Sequence, residues 1–331
     1  MVWGNGGDST VIESTINDSI PVEVQLEVDG EGHPNQYYTH VRTPVCKEGL
    51  CYLMVIDLYW DLLGNFLAYK VPEGRPLTKF DHEPFSPQDH KKMTEILSNK
   101  DSFLRFYTLD NLVDTTQKKS SDEVDGITGA THKSIKSDVV GGAVYSTYVL
   151  WHIFNGHLSD SILRHTESQF DKAMMERFLS SNNHHYQYYA LEKINQDNSA
   201  EYLPQIIQLI ANGKSYVPYF AVEKISPRDW RKPEIQKNIL QLLGTLNFEM
   251  ENEILNRLQD VPISEDGMKV FVEKLDNLEE SQLIKALDII NNQEIRLNED
   301  ALRIIASLSN HPNPKIVTQS ENIVHGNNRL P

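Results

Sequence analysis

The sequence predicts an α+β fold in which an antiparallel β-sheet domain precedes an all-α domain of helical repeats. Residues 22–71 alternate apolar and polar side chains between glycine and proline turns, which predicts three or four antiparallel strands. Beyond about residue 157 the apolar residues recur at helical spacing, and only short polar turns interrupt them. The length of 331 residues also favours two domains over a single core.

Three segments follow from this pattern: a flexible N-terminus (1–20), the sheet domain (21–157) and the helical domain (158–325). The first sixteen residues are polar and rich in Gly, Ser and Thr, which is typical of a mobile terminus. The sequence after Met1, VWGNGGDST, has neither a basic region nor an apolar region, so no secretory signal is visible. Either the protein is cytoplasmic, or the given chain starts after a removed leader.

Charge and hydrophobicity disfavour two classes of partner. With 47 acidic and 31 basic residues the formal net charge is −16, and nonspecific binding to nucleic acid or anionic lipid needs clustered Lys and Arg. No apolar run reaches the roughly 18 residues that a membrane span needs. The best candidate, residues 139–154, contains Gly141, Gly142 and His152, so we expect a buried core helix and no membrane span in this chain.

Both cysteines occur in the short sequence VCKEGLC, as Cys46 and Cys51. The flanking sequences are β-prone, so KEGL is the predicted hairpin loop, and cysteines that flank such a loop can come within disulfide distance. We predict a structural disulfide; free buried thiols and a redox-active pair remain open as alternatives. The spacing matches neither thioredoxin-like nor c-haem motifs.

The sheet domain also contains helix signals. Ser86, Pro87 and Asp89 form a capping-box-like start of a helix, and residues 102–107 suggest a short helix or turn. A strand and a solvated loop are expected before residue 125. Helix is predicted again from about Ser134 to Phe154, where Asn155 and Gly156 supply a stop.

An internal echo marks the helical domain. YYALEKI at residues 188–194 and YFAVEKI at residues 219–225 lie 31 residues apart, although VFVEKL at residues 270–275 breaks a strict period. The spacing predicts a right-handed solenoid of about ten helices in stacked pairs, of the HEAT or TPR kind. An irregular helical bundle is the alternative.

The sequence DGITGATHKS, residues 125–134, differs in character from its surroundings. Gly126 and Gly129 let another molecule approach the main chain closely. Because a helix is predicted to follow, Thr131 would lie where unpaired amides and the helix dipole stabilise a phosphate, with His132 and Lys133 beside it. A glycine-rich turn into a helix is also a common structural feature, so the motif alone leaves both interpretations open.

The seven residues DGITGAT resemble the flavinylation motif of the FMN-binding domain family, found in the C and G subunits of the Nqr and Rnf redox pumps and in related extracytoplasmic electron-transfer proteins. Every fixed position of the family pattern is matched: Asp125, Thr128, Gly129, Ala130 and Thr131. Residues 77–104 and 139–156 resemble a subgroup in which helical repeats follow this domain. The resemblance covers residues 40–157 well and the C-terminal half only in general character.

The resemblance implies that a separate flavin transferase attaches FMN through its phosphate to the Thr131 oxygen. Asp125 would serve transferase recognition or motif geometry, Thr128 would hydrogen-bond the turn or the phosphate, and Gly129 and Ala130 would keep the approach clear. The predicted FMN-binding residues are Thr131, Asp125, Gly126, Thr128, Gly129, Ala130 and Ser134. Two departures are that Lys133 stands where the family often has Ser or Thr, and that no pump subunit's membrane anchor is present.

The function thus implied is a periplasmic or otherwise extracytoplasmic electron carrier rather than a stand-alone enzyme, with a redox partner protein and a protein partner for the helical repeats. A cytoplasmic location is the alternative. A scaffold with a redox-silent FMN-binding-like domain, and a reductase that binds FMN noncovalently, are competing functions.

Other candidate residues favour structural roles. Asp81, His82, Glu83 and His90 lack a metal-site signature, so no metal is predicted. His184 and His185 are expected in a solvated loop. Tyr145, Tyr148 and Trp151 recur at spacing three and could face a flavin ring, but a core stripe is the preferred interpretation.

Overall fold

The computed structural model describes residues 10–16, 20–45, 53–79, 82–114, 130–131, 133–293 and 295–327. The chain divides into two compact units, Met1–Phe170 and Asp171–Pro331, and each is described by itself. We call them the sheet unit and the helical unit. The predicted α+β class is confirmed, because a five-stranded antiparallel sheet precedes a run of helices.

The sheet is a simple antiparallel meander in which each strand pairs with the next along the chain. Its strands are β1 (Thr10–Ile16), β2 (Ile20–Val28), β3 (Pro34–Thr43), β4 (Met54–Trp60) and β5 (Phe66–Lys70). Four of them occupy the region in which three or four were predicted. Burial of alternate side chains in β3 gives the sheet one face directed to the core.

Strand β1 lies inside the segment that the sequence analysis assigned to a flexible N-terminus, so that prediction is wrong for residues 10–16. The sequence TVIESTI is rich in β-branched residues, which suit a pleated strand. It pairs with β2 down to Ile16 opposite Ile20, and Ile16 is buried. The hydroxyl-rich composition concealed this strand, because Ser and Thr are common both in mobile termini and on the solvent side of sheets.

The predicted antiparallel pairing of the strands on either side of the cysteines is confirmed, whereas the predicted loop KEGL lies outside the described residues. Strands β3 and β4 pair antiparallel along their length, and Thr43 lies opposite Met54 at the connected end. Cys46 and Cys51 belong to the connection and lie outside the described residues. The disulfide therefore stays a prediction.

The described residues of the sheet unit also form three α-helices, α1 (Pro87–Ser98), α2 (Val144–Asn155) and α3 (His157–Ser168). Helix α1 begins as predicted, since the Ser86 and Asp89 side chains form a reciprocal capping box. Helix α2 ends at Asn155, as predicted. Helix α3 was assigned to the helical domain from the sequence, but it packs against β1 and falls within the sheet unit.

The predicted helix start near Ser134 is wrong, because α2 begins only at Val144. Residues Lys133–Asp138 form a 3-10 helix instead. Between the two helices, Gly142 has a φ of +75°, in the left-handed region that an α-helix does not use. The continuous apolar sequence after residue 138 suggested one long helix, and the Gly141-Gly142 pair breaks it.

The core of the sheet unit joins the sheet to its helices through aromatic side chains. Trp60 at the end of β4 has no exposed surface, and its ring lies 4.9 Å from that of Phe154 in α2. The Trp60 Nε1 also donates a hydrogen bond of 3.1 Å to the Phe154 carbonyl oxygen. On β3, the Tyr37 hydroxyl lies 2.8 Å from both His165 Nδ1 and Thr166 Oγ1 of α3.

The helical unit has two rows of helices. Helices two apart along the chain contact each other, so the even-numbered helices form one row and the odd-numbered helices the other. The helices are α4 (Lys172–Leu179), α5 (His184–Lys193), α6 (Leu203–Asn212), α7 (Val217–Glu223), α8 (Pro233–Leu240), α9 (Phe248–Leu258), α10 (Glu265–Glu273), α11 (Glu280–Asn291), α12 (Glu299–Ser307) and α13 (Pro314–Asn327).

Hydrogen bonds between neighbouring helical segments repeat at a separation close to that of the sequence echo. Lys224 Nζ donates to the Ile194 carbonyl oxygen at 3.2 Å, 30 residues away. Asn327 Oδ1 accepts from the Leu297 amide at 2.6 Å, again across 30 residues. The two copies of the echo fall on α5 and α7, which are neighbours in the odd-numbered row, whereas VFVEKL falls on α10 in the other row.

Among the helices that the structure describes, none combines the length and the apolar character that crossing a bilayer requires.

Candidate functional site

Thr131, the predicted attachment residue, lies in a short strand of the sheet unit. Ala130 and Thr131 form β7 (Ala130–Thr131), which pairs antiparallel with β6 (Val113–Asp114) so that Thr131 is opposite Val113. Thr131 is partly exposed. The other predicted motif residues, Asp125, Gly126, Thr128 and Gly129, lie outside the described residues.

The expected position of Thr131 at the mouth of an α-helix is wrong. Thr131 belongs to a strand, and the next described element is the six-residue 3-10 helix Lys133–Asp138. A helix dipole needs several aligned peptide units, so this short element gives little electrostatic stabilisation to a phosphate. A phosphoester bond does not depend on that dipole, since it needs only a hydroxyl that another molecule can reach.

Three links hold residues 102–114 beside the segment that contains Thr131. Asp138 Oδ2 accepts hydrogen bonds from Ser102 Oγ at 2.7 Å and from the Phe103 amide at 2.9 Å. The Ser134 hydroxyl is hydrogen-bonded to the Tyr107 hydroxyl. The third link is the β6–β7 pairing. Because residue numbers rise on one side as they fall on the other, the two segments run antiparallel.

Asp138 keeps its charge at the first of these links. Partial burial raises the pKa of its carboxyl group, but hydrogen bonds from Ser102, from the Phe103 amide and from Ser137 outweigh burial and lower the pKa below its usual value. The carboxylate therefore acts as an acceptor for the 3-10 helix Phe103–Phe106 and fixes it to the segment after Thr131.

Two exposed aromatic side chains lie on that 3-10 helix. Phe103 is 57% exposed and Phe106 is 66% exposed, and their ring centroids are 6.4 Å apart. We call them the phenylalanine pair. The Arg105 guanidinium carbon lies 4.7 Å from the Phe106 ring centroid. The sequence predicted the short helix or turn but not the exposed pair, although the spacing of three in FLRF, with Leu104 between, was the available signal.

The aromatic residues of α2 belong mainly to the interior. Trp151 is buried, and its Nε1 donates a 2.9 Å hydrogen bond to the Asn99 carbonyl oxygen, which confirms the core interpretation for this residue. The Tyr148 hydroxyl donates to the Tyr107 carbonyl oxygen at 3.0 Å, and burial raises its pKa. Tyr145 is partly exposed.

The histidines near residue 85 have structural partners. His90 Nδ1 lies 2.7 Å from the Tyr69 hydroxyl, and Lys79 Nζ pairs with Glu83 at 3.3 Å and with Asp89 at 3.2 Å. Asp81 lies outside the described residues. No group of three or more His, Cys, Asp or Glu side chains in the described part of the chain could hold a metal ion. His184 and His185 open α5 rather than lie in a loop.

Compared with known proteins, the chain matches no family model, no curated protein and no solved structure.

Proposed function

We propose that this protein is an extracytoplasmic electron carrier that holds FMN covalently through a phosphoester to Thr131. The observation that supports it is the placement of the motif threonine on a partly exposed strand. Because Thr131 is partly exposed rather than buried, a second protein can reach this part of the strand. A second observation supports FMN: the exposed rings of Phe103 and Phe106 lie in residues 102–114, the segment linked to the one that contains Thr131.

The attachment step balances with FAD as the donor. The Thr131 oxygen forms a new bond to the FMN phosphorus, the pyrophosphate bond of FAD breaks, AMP leaves and the hydroxyl proton passes to a base. A threonine hydroxyl is a weak nucleophile at neutral pH, so a flavin transferase supplies the activation together with Mg²⁺. Thr131 is the attachment point and takes no part in electron transfer, for which the bound flavin supplies one- and two-electron chemistry.

The helical unit completes the proposal as a docking domain. Two rows of helices, with neighbour-to-neighbour hydrogen bonds about 30 residues apart, are the arrangement expected of HEAT- or TPR-like repeats. Such solenoids present extended surfaces to other proteins. We assign to this unit the binding of the redox partner.

Co-expression with an active flavin transferase tests the attachment. We expect yellow protein whose flavin stays in the pellet after acid precipitation, and Thr131→Ala should abolish the colour. Ser137→Ala is the matched control, since it removes an exposed hydroxyl six residues from Thr131 that is not among the predicted FMN-binding residues, and it should leave the flavin attached. Colourless wild-type protein, made beside a flavinylated protein that verifies the transferase, would contradict the proposal. Flavin released by the acid would indicate noncovalent binding instead.

An interaction scaffold is the second candidate, and exposed aromatic rings on the helical unit favour it. Tyr216 is 71% exposed, Phe220 and Phe248 are also exposed, and the Tyr188 ring lies 5.2 Å from that of Phe220. These residues lie on neighbouring helices of the odd-numbered row or at their ends. If Tyr216→Ser abolishes the function of the protein in its own cells and Thr131→Ala leaves that function intact, the scaffold is favoured over the carrier.

A further inference from the structure

The phenylalanine pair is the most exposed aromatic feature of the described part of the sheet unit. In a 3-10 helix, residues three apart project from the same side, so Phe103 and Phe106 form one apolar surface. Their ring planes meet at 48° and the Arg105 guanidinium lies over the Phe106 ring, yet both side chains keep more than half of their surface exposed to solvent. Solvent-facing apolar surface of this kind commonly marks a binding site.

The helix that presents the pair is held rigidly. The Ser102 side chain accepts from the Leu104 amide at 3.1 Å, and Leu104 itself is fully buried. At the other end the Tyr107 amide donates to the Leu104 carbonyl oxygen at 3.1 Å. The helix is therefore anchored on its inner side by Leu104 and at its start by Ser102 and Asp138, while the pair remains outside. A surface fixed in this way pays little ordering entropy when a ligand binds.

The links described above place the pair next to the predicted attachment segment. Phe103 directly follows Ser102, whose hydroxyl donates a hydrogen bond to Asp138. Phe106 directly precedes Tyr107, whose hydroxyl is hydrogen-bonded to that of Ser134. Phe103 and Phe106 thus lie on the stretch between these two hydrogen bonds, and Ser134 is three residues from Thr131. A group tethered to Thr131 would meet the pair at high effective concentration.

We propose that the phenylalanine pair receives the planar ring of the flavin that is tethered to Thr131. This inference rests on the proposed function. A flat aromatic ring is the occupant that suits two rings inclined to each other, since offset and edge-to-face contacts are the favoured aromatic geometries. Trp151 is less suited because it is buried, and Tyr148 because it is only partly exposed.

A tryptophan at position 106 tests the contact directly. Tryptophan quenches flavin fluorescence by electron transfer only at close range, so Phe106→Trp in the FMN-loaded full-length protein should lower the emission several-fold relative to wild type. Leu67→Trp is the matched control: Leu67 is 48% exposed on β5, and a tryptophan there should leave the emission unchanged.

The double variant Phe103→Ser/Phe106→Ser supplies a second readout. We expect it to load FMN like the wild type by intact mass, and to show a larger iodide quenching constant for the flavin because the ring has lost its cover. Thermal unfolding of the unloaded protein controls for folding, and we expect little change because both side chains face solvent.

The two proposals fail in different ways. Wild-type protein without an FMN mass, beside an active transferase, would overturn the proposed function and this inference with it. Loaded protein whose emission is unaffected by Phe106→Trp, and whose iodide quenching is unaffected by the double variant, would overturn this inference alone and leave the pair as a surface for a partner protein.

Discussion

The hydrogen bonds that stabilise the sheet unit join residues much farther apart in the sequence than those that stabilise the helical unit. In the sheet unit, the Trp60 indole bonds the Phe154 carbonyl across 94 residues, and the Tyr37 hydroxyl bonds Thr166 across 129. In the helical unit, the corresponding links span about 30 residues. The first unit must therefore form as a whole, whereas the stability of the second is a sum over neighbouring helices.

This difference suits the two proposed roles. The segments that contain Thr131 and the phenylalanine pair are joined at three points, so their relative position depends on the cooperative fold of the sheet unit. A cofactor site benefits from such rigidity. A docking surface built from helices that contact their near neighbours can vary locally without loss of the rest.

The largest effect should come from Trp60→Ala. It removes a fully buried indole and its bond to Phe154, so we expect a loss of about 3–5 kcal/mol of unfolding free energy. Hydrogen exchange should lose protection throughout strands β1 to β5, while the helical unit keeps its own. Trp60→Phe should cost clearly less. Protection lost only next to position 60 would contradict the cooperative account of the sheet unit.

Gln236→Ala probes the helical unit in the same way. The buried Gln236 amide nitrogen donates to the carbonyl oxygens of Trp230 at 2.9 Å and Pro262 at 2.8 Å, and its oxygen accepts from the Ser264 amide at 2.8 Å. Leaving buried main-chain groups unpaired should cost about 1–3 kcal/mol.

Hydrogen exchange should show that this loss is local, with faster exchange in α8 and α10 and unchanged exchange in α4 and α5. The exposed Gln241→Ala is the control and should change nothing. A uniform loss of protection over the whole helical unit would refute the neighbour-by-neighbour account.

Alkaline pH should destabilise the sheet unit through its buried tyrosines. Burial raises the pKa of Tyr37 to about 12, against an ordinary value of 10.0. Between pH 10 and 12 the unfolded chain has lost this proton and the folded chain still holds it, so stability falls as pH rises.

Tyr37→Phe should weaken this pH dependence, although it also leaves Thr166 without its hydroxyl partner and lowers stability at neutral pH by about 1 kcal/mol. Urea unfolding at several pH values measures both effects. An unchanged alkaline slope in the variant would show that Tyr37 does not carry the effect.

The smallest effect is expected from Asp138→Ala. Removing the acceptor of the Ser102 hydroxyl and the Phe103 amide should cost about 1 kcal/mol, as for other helix-start acceptors. Because the pKa of Asp138 is lowered in the folded state, its contribution is present at neutral pH and is lost as pH falls below the ordinary carboxyl range.

The Phe103 amide should exchange faster in Asp138→Ala, which amide-resolved hydrogen exchange can measure. Ser137→Ala is the control, because the Ser137 hydroxyl donates a hydrogen bond to Asp138 but makes no link to the 3-10 helix Phe103–Phe106. Equal exchange of the Phe103 amide in wild type and Asp138→Ala would remove the first of the three links from the account.

Local patterns predicted local structure well. The capping box at Ser86 and the end of α2 depend on residues within a few positions of each other, and both are confirmed, as is the pairing of the neighbouring strands β3 and β4. Strand β1 was missed because its identity depends on pairing with β2, which the polar sequence does not reveal.

For the candidate site, the sequence predicted the attachment residue but not the structure around it. The motif identified Thr131 as a candidate, yet the α-helix expected from Ser134 begins only at Val144, after a 3-10 helix and the left-handed Gly142. The phenylalanine pair was missed because the exposure of its two side chains depends on what packs against the 3-10 helix Phe103–Phe106. Spacing shows that Phe103 and Phe106 share a side but does not show which side faces solvent.

Peptide mass spectrometry of the full-length protein, co-expressed with an active flavin transferase, tests the central claim most directly. The account predicts that the peptide containing Thr131 carries the added mass of FMN less water and that fragmentation places it on the Thr131 oxygen. The same peptide at its unmodified mass, or an adduct on a different residue, would contradict it.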